Sequence, residues 1–324
     1  MNVVTIPGLR LRPFAGAPDY DAIAGILKAA NRADGVEWIP DAAALRVEFE
    51  NMAEFDPSID VVVAELDGRV VGYGQAGRDV RDGIPVYSTG GAVHPEFRHR
   101  GIGRSILRHN EARLRQVAGA HPDETTRMFG AWVADREGGA RELLTSEGYG
   151  PVRFGFAMRR PTLEDLPAVS LPEGIEIRPV AEEHLRPIHD ADNEAFRDHW
   201  GHRESTEEDF RWLVNAPDRD TSLWRVAWDG TDVAGSVITF VFKSENEVLG
   251  VRRGWLERIS VRRPWRRRGL ATALIASALE GLRDAGMDDA MLGVDAENPT
   301  GALQLYEALG FVVHDRSTTY RKAW

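Results

Sequence analysis

The 324-residue chain contains no cysteine. That absence removes disulfides, thiolate zinc sites, redox pairs and cysteine nucleophiles together. No apolar run is long enough to span a bilayer. Met1–Arg10 lacks the basic segment and apolar stretch of a secretory signal, so the expected location is the cytoplasm, without membrane attachment. Positive charge is also in deficit: 40 Lys and Arg stand against 51 Asp and Glu, a net charge of −11. Binding nucleic acid requires clustered positive charge, so that class of partner is not expected and any basic patch must be a local device. What remains is an ordinary globular mixture, 43% hydrophobic and 28% charged, at a length that favours two domains.

What the chain does have is an internal repeat of about half its length. Gly8-Leu9-Arg10-Leu11-Arg12-Pro13 matches Gly174-Ile175-Glu176-Ile177-Arg178-Pro179, both alternating as half-buried strands do. Val62–Gly68 resembles Arg225–Gly230, each ending in an Asp-Gly hairpin signal. Val93–Gly103 aligns without a gap on Val261–Ala271, and Ser146-Glu147-Gly148-Tyr149 on Ala308-Leu309-Gly310-Phe311. The boundary falls in the Pro-containing stretch Pro161–Pro172, giving domains at 1–160 and 173–324.

The second repeat reads as a strand near Ile175–Arg178, then helices over Glu182–Phe196 and Glu207–Asn215, the latter opened by a Ser205/Glu208 capping box. Strands follow at Ser222–Trp228, Val233–Phe242 and Trp255–Val261. A helix from Gly269 carries Leu270, Leu274, Ala278 and Leu282 on one face. A strand at Ala290–Val294, a helix over Pro299–Ala308 and C-terminal strands complete it. Hairpins followed by strand–helix–strand units imply an α/β fold, a mixed and mostly antiparallel sheet with helices on both faces in each domain.

Arg266-Arg267-Arg268-Gly269-Leu270-Ala271 sits where a strand ends and a helix begins. A helix N-terminus offers unpaired N–H groups to an anion, and glycine lets a pyrophosphate approach the backbone. A solvated basic face is the plainer alternative. The recurrence of the pattern at Arg98-His99-Arg100-Gly101-Ile102-Gly103 favours ligand binding. No Gly-Lys-Ser/Thr follows, so this is not a Walker loop, and the glycine spacing is not that of a dinucleotide fingerprint.

This Arg-x-x-Gly-x-Gly/Ala pattern after a Val-x-x-Pro strand end resembles the acyl-CoA loop of the GNAT superfamily of N-acetyltransferases. Asp295–Phe311, with Asn298, Tyr306 and Gly310-Phe311, looks like that family's second signature. The resemblance covers essentially the whole chain as two tandem units, an arrangement similar to the mycothiol synthase type. It implies transfer of an acetyl group from acetyl-CoA, as co-substrate, directly to a primary amine. The positions it implies for the co-substrate are Ile259, Ser260, Val261, Arg266, Arg267, Arg268, Gly269, Leu270, Ala271, Thr272 and Asn298. In the first repeat they are Val93, Arg98, Arg100, Gly101 and Gly103.

The repeats differ where the chemistry would lie. Tyr306 aligns with Leu144 and Asn298 with Arg136, so catalysis is expected in the second repeat alone. A phenol (pKa about 10) can protonate a thiolate (conjugate acid about 8.5), though uphill; a core tyrosine is the structural alternative for Tyr306. Many family members carry a Glu six residues before the terminal Val of the fourth strand, where this chain has Trp255. Glu257 is the nearest carboxylate and either acts as general base or is an exposed strand residue paired with an arginine; the first repeat has Thr89 there. Asn298 either orients the pantetheine or caps the last helix. His199 and His202 lack an evident third ligand, so no metal is expected and they line the acceptor site or are structural. The expected acceptor is a small-molecule amine in preference to a protein, and the expected state is a monomer or weak homodimer. The reading outside catalysis is an acyl-CoA-binding sensor or regulatory module.

Overall fold

The computed structural model describes residues 6–52, 54–124, 126–216, 218–298 and 301–324. They divide into two compact units, the described residues up to Arg153 together with Ser317–Trp324, and Phe154–Arg316. The first half of the chain runs β1 (Leu9–Pro13), α1 (Ala17–Asp34), α2 (Ala42–Asn51), α3 (Pro57–Asp60), β2 (Val61–Leu66), β3 (Arg69–Arg81), β4 (Ile84–Val93), α4 (Ile102–Gly119), β5 (Met128–Ala134), α5 (Gly138–Ser146) and β6 (Gly150–Arg160). The second half runs β7 (Glu176–Ile177), α6 (Leu185–Phe196), α7 (Glu207–Asn215), β8 (Arg225–Asp229), β9 (Asp232–Phe240), α8 (Lys243–Leu249), β10 (Arg253–Val261), α9 (Leu270–Asp284), β11 (Asp289–Asp295), α10 (Ala302–Ala308) and β12 (Val312–Ala323).

Each unit carries the expected mixed sheet. In the first, β1 to β4 pair antiparallel in chain order, β4 pairs parallel with β5, and Ser317–Ala323 of β12 pairs antiparallel with β5. In the second, β7 to β10 pair antiparallel, β10 pairs parallel with β11, and Gly155–Arg160 of β6 pairs antiparallel with β11. The compact units therefore depart from the 1–160 and 173–324 division of the repeats: the final strand of each sheet comes from the other half of the sequence. Chain order sets the repeats, whereas hydrogen bonding to a sheet edge sets the units.

Side-chain alternation explains the layers. Val61 and Val63 face α1 and α2, joining Tyr20, Ile23, Leu27, Leu45 and Phe49, while Val62 and Ala64 face Ile102 and Ile106 of α4. The second unit repeats this, with Val226 and Trp228 against Leu185, Ile188 and Leu213, and Ala227 against Leu274 and Leu279. Helix α9 buries nine residues, and each fully buried Leu or Ile among them contributes about 1.5–3 kcal/mol. Among the described residues no helix is long and apolar enough to cross a membrane.

Several local expectations shift. The capping box of α7 is Thr206 with Asp209, not Ser205 with Glu208, because the Ser205 hydroxyl is already bonded to His189 Nε2 at 2.8 Å. Helix α8, ended by Gly250 at φ 67°, has no apolar periodicity to announce it. The C-terminal strands are one strand, β12, and the last helix begins at Ala302; Pro299 and Thr300 lie outside the described residues.

Candidate active site

The two Arg-x-x-Gly loops share one backbone. Gly101 and Gly269 stand before α4 and α9 at φ 83° and 82°, and His99 and Arg267 are also left-handed, at φ 61° and 63°. Successive backbone N–H groups in a turn of this kind make a concavity that suits an anion. Neither helix has a side-chain cap, so the N–H groups of Leu270, Ala271 and Thr272 lack an intrahelical partner. A Cβ added at Gly269 would meet nothing within 4 Å, which leaves the approach open. The Leu270 side chain itself is core.

The first arginine of each loop is a brace. Arg266 donates from Nε to Val261 O at 2.8 Å, pairs with Asp198 and donates to Ala195 O at 3.0 Å. Arg98 likewise reaches Val93 O at 3.3 Å and grips Asp34 through two 2.7 Å bonds. Arg263 also pairs with Asp198, and the two guanidiniums hold that carboxyl far below its usual range. Arg267 makes no hydrogen bond or ion pair among the described residues; Arg268 reaches Glu173 O at 3.4 Å. Arg100 lies over Phe97 and bonds Glu96 O. Arg267, and Arg268 with its one long bond, are therefore the loop's uncommitted cations, fewer than the sequence pattern offers. Asp34 and Asp198 went unread in the sequence because nothing local pairs them with a loop some 65 residues on.

Beside the loop the sheet splits. Strand β10 pairs with β11 only from Arg253↔Asp289 to Leu256↔Leu292, then leaves it. The register with β9 slips between Leu256 and Arg258, so Glu257 is a bulged residue. Arg262 N bonds Ala234 O, and the antiparallel alternation then turns the N–H groups of Ile259 and Val261 away from β9 into the split. Ser260 does not join them: its N–H faces β9, and its hydroxyl bonds Asp192. In the first unit β4 leaves β5 after Ser88↔Gly130, without a bulge.

Glu257, the bulged residue, is exposed. Desolvation raises its carboxyl above the ordinary range, with Arg258 opposing. Tyr306, on α10, is 7% exposed and packs edge-on to Phe311 in the core cluster that Ile259 and Val261 join. Burial pushes its phenol up to about 12, and the hydroxyl has no hydrogen-bond partner among the described residues. Arg160 bonds Leu309 O at the end of the same helix, fixing its position. Asn298 N bonds Asp295 O ahead of α10. His199 lies against Phe196, lowered by burial and by Arg266, and among the described residues no group of three or more His, Asp or Glu could hold a metal.

The first unit opens a cleft of about 510 Å3 at the equivalent place, lined by Thr89–Val93, Gly101, Gly103, Asn110, Trp132 and Leu144 among others. That is ample for part of a cofactor-sized ligand. It lacks a carboxylate and a phenol where the second unit has Glu257 and Tyr306.

Comparison with known proteins agrees with both halves. Residues 185–311 match the acetyltransferase (GNAT) family, and residues 57–149 match an acetyltransferase (GNAT) domain. A mycothiol acetyltransferase of Geodermatophilus obscurus is 30% identical over 93% of this chain and 94% of its own length. One from Salinispora arenicola is 30% identical over 94% of each. Among solved structures, a GCN5-related N-acetyltransferase from Sphaerobacter thermophilus is 28% identical, covering 98% of this chain and 97% of its own at a TM-score of 0.75. A tandem GNAT protein of the clavulanic acid biosynthesis pathway shares the fold, at 19% identity and TM-score 0.67 over 97% and 98%.

Proposed function

The chain belongs to the GNAT family of acetyltransferases and is an acetyl-CoA-dependent N-acetyltransferase, and on that premise we propose that its second unit acetylates the primary amine of a small molecule. One observation carries the choice of unit: the bulged Glu257 and the buried Tyr306 occur beside the β10–β11 split, whereas the first unit has Thr89 on an unbulged strand and Leu144.

Bound acetyl-CoA supplies an activated acyl group and a thiolate that can leave. The loop from Arg267 to Gly269 and the first turn of α9 would hold its pyrophosphate, and the N–H groups of Ile259 and Val261 would meet its pantetheine or the acyl oxygen. Asn298 orients that arm. Glu257 takes the proton of the attacking amine, its raised pKa bringing the carboxylate closer to the working pH of a base. Tyr306 delivers its proton to the departing sulfur. The phenol at about 12 stays protonated at any working pH, and delivery to a thiolate near 8.5 is uphill by about 5 kcal/mol before desolvation of the sulfur narrows the gap. The likeness to mycothiol acetyltransferases favours a small-molecule amine over a protein N-terminus. For the first unit alone the open cleft and the repeated loop support a second reading, acyl-CoA binding without turnover.

Calorimetric titration of acetyl-CoA into the wild type and into Gly269→Glu tests this. The variant loses one binding site and loses CoA release with an amine panel, retaining at most the first unit's site. Undiminished CoA release in Gly269→Glu, or no acetyl-CoA binding by the wild type, overturns the proposal.

A further inference from the structure

One buried carboxylate beside the split has no role in the reaction just described. Asp192, on α6, is 3% exposed. Its Oδ1 accepts from Ser236 Oγ of β9 at 2.8 Å and from Ser260 Oγ of β10; its Oδ2 accepts from Arg258 Nε at 2.8 Å. The two serines are register partners across the β9–β10 ladder, Oγ to Oγ 3.2 Å. Burying a carboxylate is costly, and a well-packed apolar residue often serves stability as well or better. What an apolar side chain cannot do is grip these particular residues.

Their position gives the grip its meaning. Arg258 and Ser260 are the first and third residues beyond the bulge, on the arm of β10 that has left β11 and keeps a sheet neighbour on one side only. Arg258 adjoins Glu257 and lies 5.2 Å over the Phe196 ring. We propose that Asp192 is a positioning residue of the acid–base site: it pins the free arm of β10 to α6, holding the split open, and it neutralises Arg258 beside Glu257. This rests on Glu257 being the base.

The surrounding charges are accounted for. The elements packed most closely on β10 are β9, β11, α6 and α9, and α8 reaches it through the buried Glu245, whose carboxylate accepts from Trp255 Nε1 at 3.3 Å. Strand β9 presents Ser236 and Thr239. On β11, Asp289 is bound by Arg253 and Arg159, and Asp295 acts on His199. On α6, Glu194 is bound by Arg262 at 2.9 Å. The charged residues of α9, Glu280, Arg283 and Asp284, lie in its last turns. The charge acting on Glu257 is that of Arg258.

Removing either member of the pair therefore moves Glu257 in opposite directions. Asp192→Asn leaves Arg258 uncompensated, which favours the Glu257 carboxylate and moves the acidic limb of the pH–rate profile down. Arg258→Gln leaves the buried Asp192 charge, which moves the limb up; each shift is roughly half a pH unit. The profile is measured with acetyl-CoA and an accepted amine for the wild type, both variants and Glu257→Gln. Loss of the limb in Glu257→Gln, with opposite shifts in the pair, supports the inference. Loss of the limb in Glu257→Gln with no shift in the others overturns the positioning role and leaves the base standing; a limb retained in Glu257→Gln overturns both. Should Asp192→Asn fail to fold, the double variant Asp192→Asn/Arg258→Gln decides: a limb lower than that of Arg258→Gln alone supports the role of Asp192, and a limb identical to it overturns that role.

Discussion

Replacing Tyr306 by Phe separates the chemistry of that ring from its packing. The ring fills core space beside Phe311, and Phe fills it equally. The hydroxyl makes no hydrogen bond to the described residues, so its loss leaves no orphaned partner and stability stays within about 0.5 kcal/mol of wild type. The proton for the sulfur must then come from water, near 15.7, in place of a phenol near 12, a difference of about 3.7 units. If about half of that is felt in the transition state, the rate falls by about two powers of ten, the lower edge of what a positioned acid contributes. The assay is CoA release under saturating acetyl-CoA, beside a melt and a calorimetric titration of acetyl-CoA. Because the phenol titrates near 12, no alkaline limb below about pH 10 belongs to it. Turnover within a few-fold of wild type, with folding and affinity intact, refutes the acid role.

Two further expectations concern the frame. Asp289 is 2% exposed and bound by Arg253 Nε at 2.7 Å and Arg159 Nε at 2.8 Å; Asp289→Ala removes a carboxylate that compensates the buried Arg253 guanidinium and costs about 3 kcal/mol, measured by denaturant unfolding. Arg98→Ala breaks the two 2.7 Å bonds to Asp34 and costs about 1–2 kcal/mol, read as a lower unfolding midpoint at unchanged slope.

The two units share the shape of the loop and differ in the groups beside it. The left-handed glycines, the left-handed residue two positions earlier and the arginine brace are the same in both units. The bulge, the carboxylate and the phenol are not. Loop shape is a backbone property with its own stabilising bonds, whereas Glu257 is placed against the cost of desolvation.

Reading the chain alone, the repeat, the glycine turn ahead of α4 and α9, the order of most strands and helices of the second half and the divergence at Tyr306/Leu144 were legible. Each depends on local signals: a positive-φ glycine before a helix, alternation along a strand, a period of three to four along α9. Asp192 had a local signal as well, a carboxylate at the apolar positions of α6 defined by Leu185 and Ile188, though its partners lay 44 and 68 residues away. Other features had no local signal. The bulge at Glu257 depends on the β9 register, the brace on Asp34 and Asp198 depends on where helices end in space, and the exchange of final strands depends on which sheet edge accepts a ladder. These are long-range pairings. The residues that make them carry no mark in their own neighbourhood, so folding had to bring them together before their chemistry could be read.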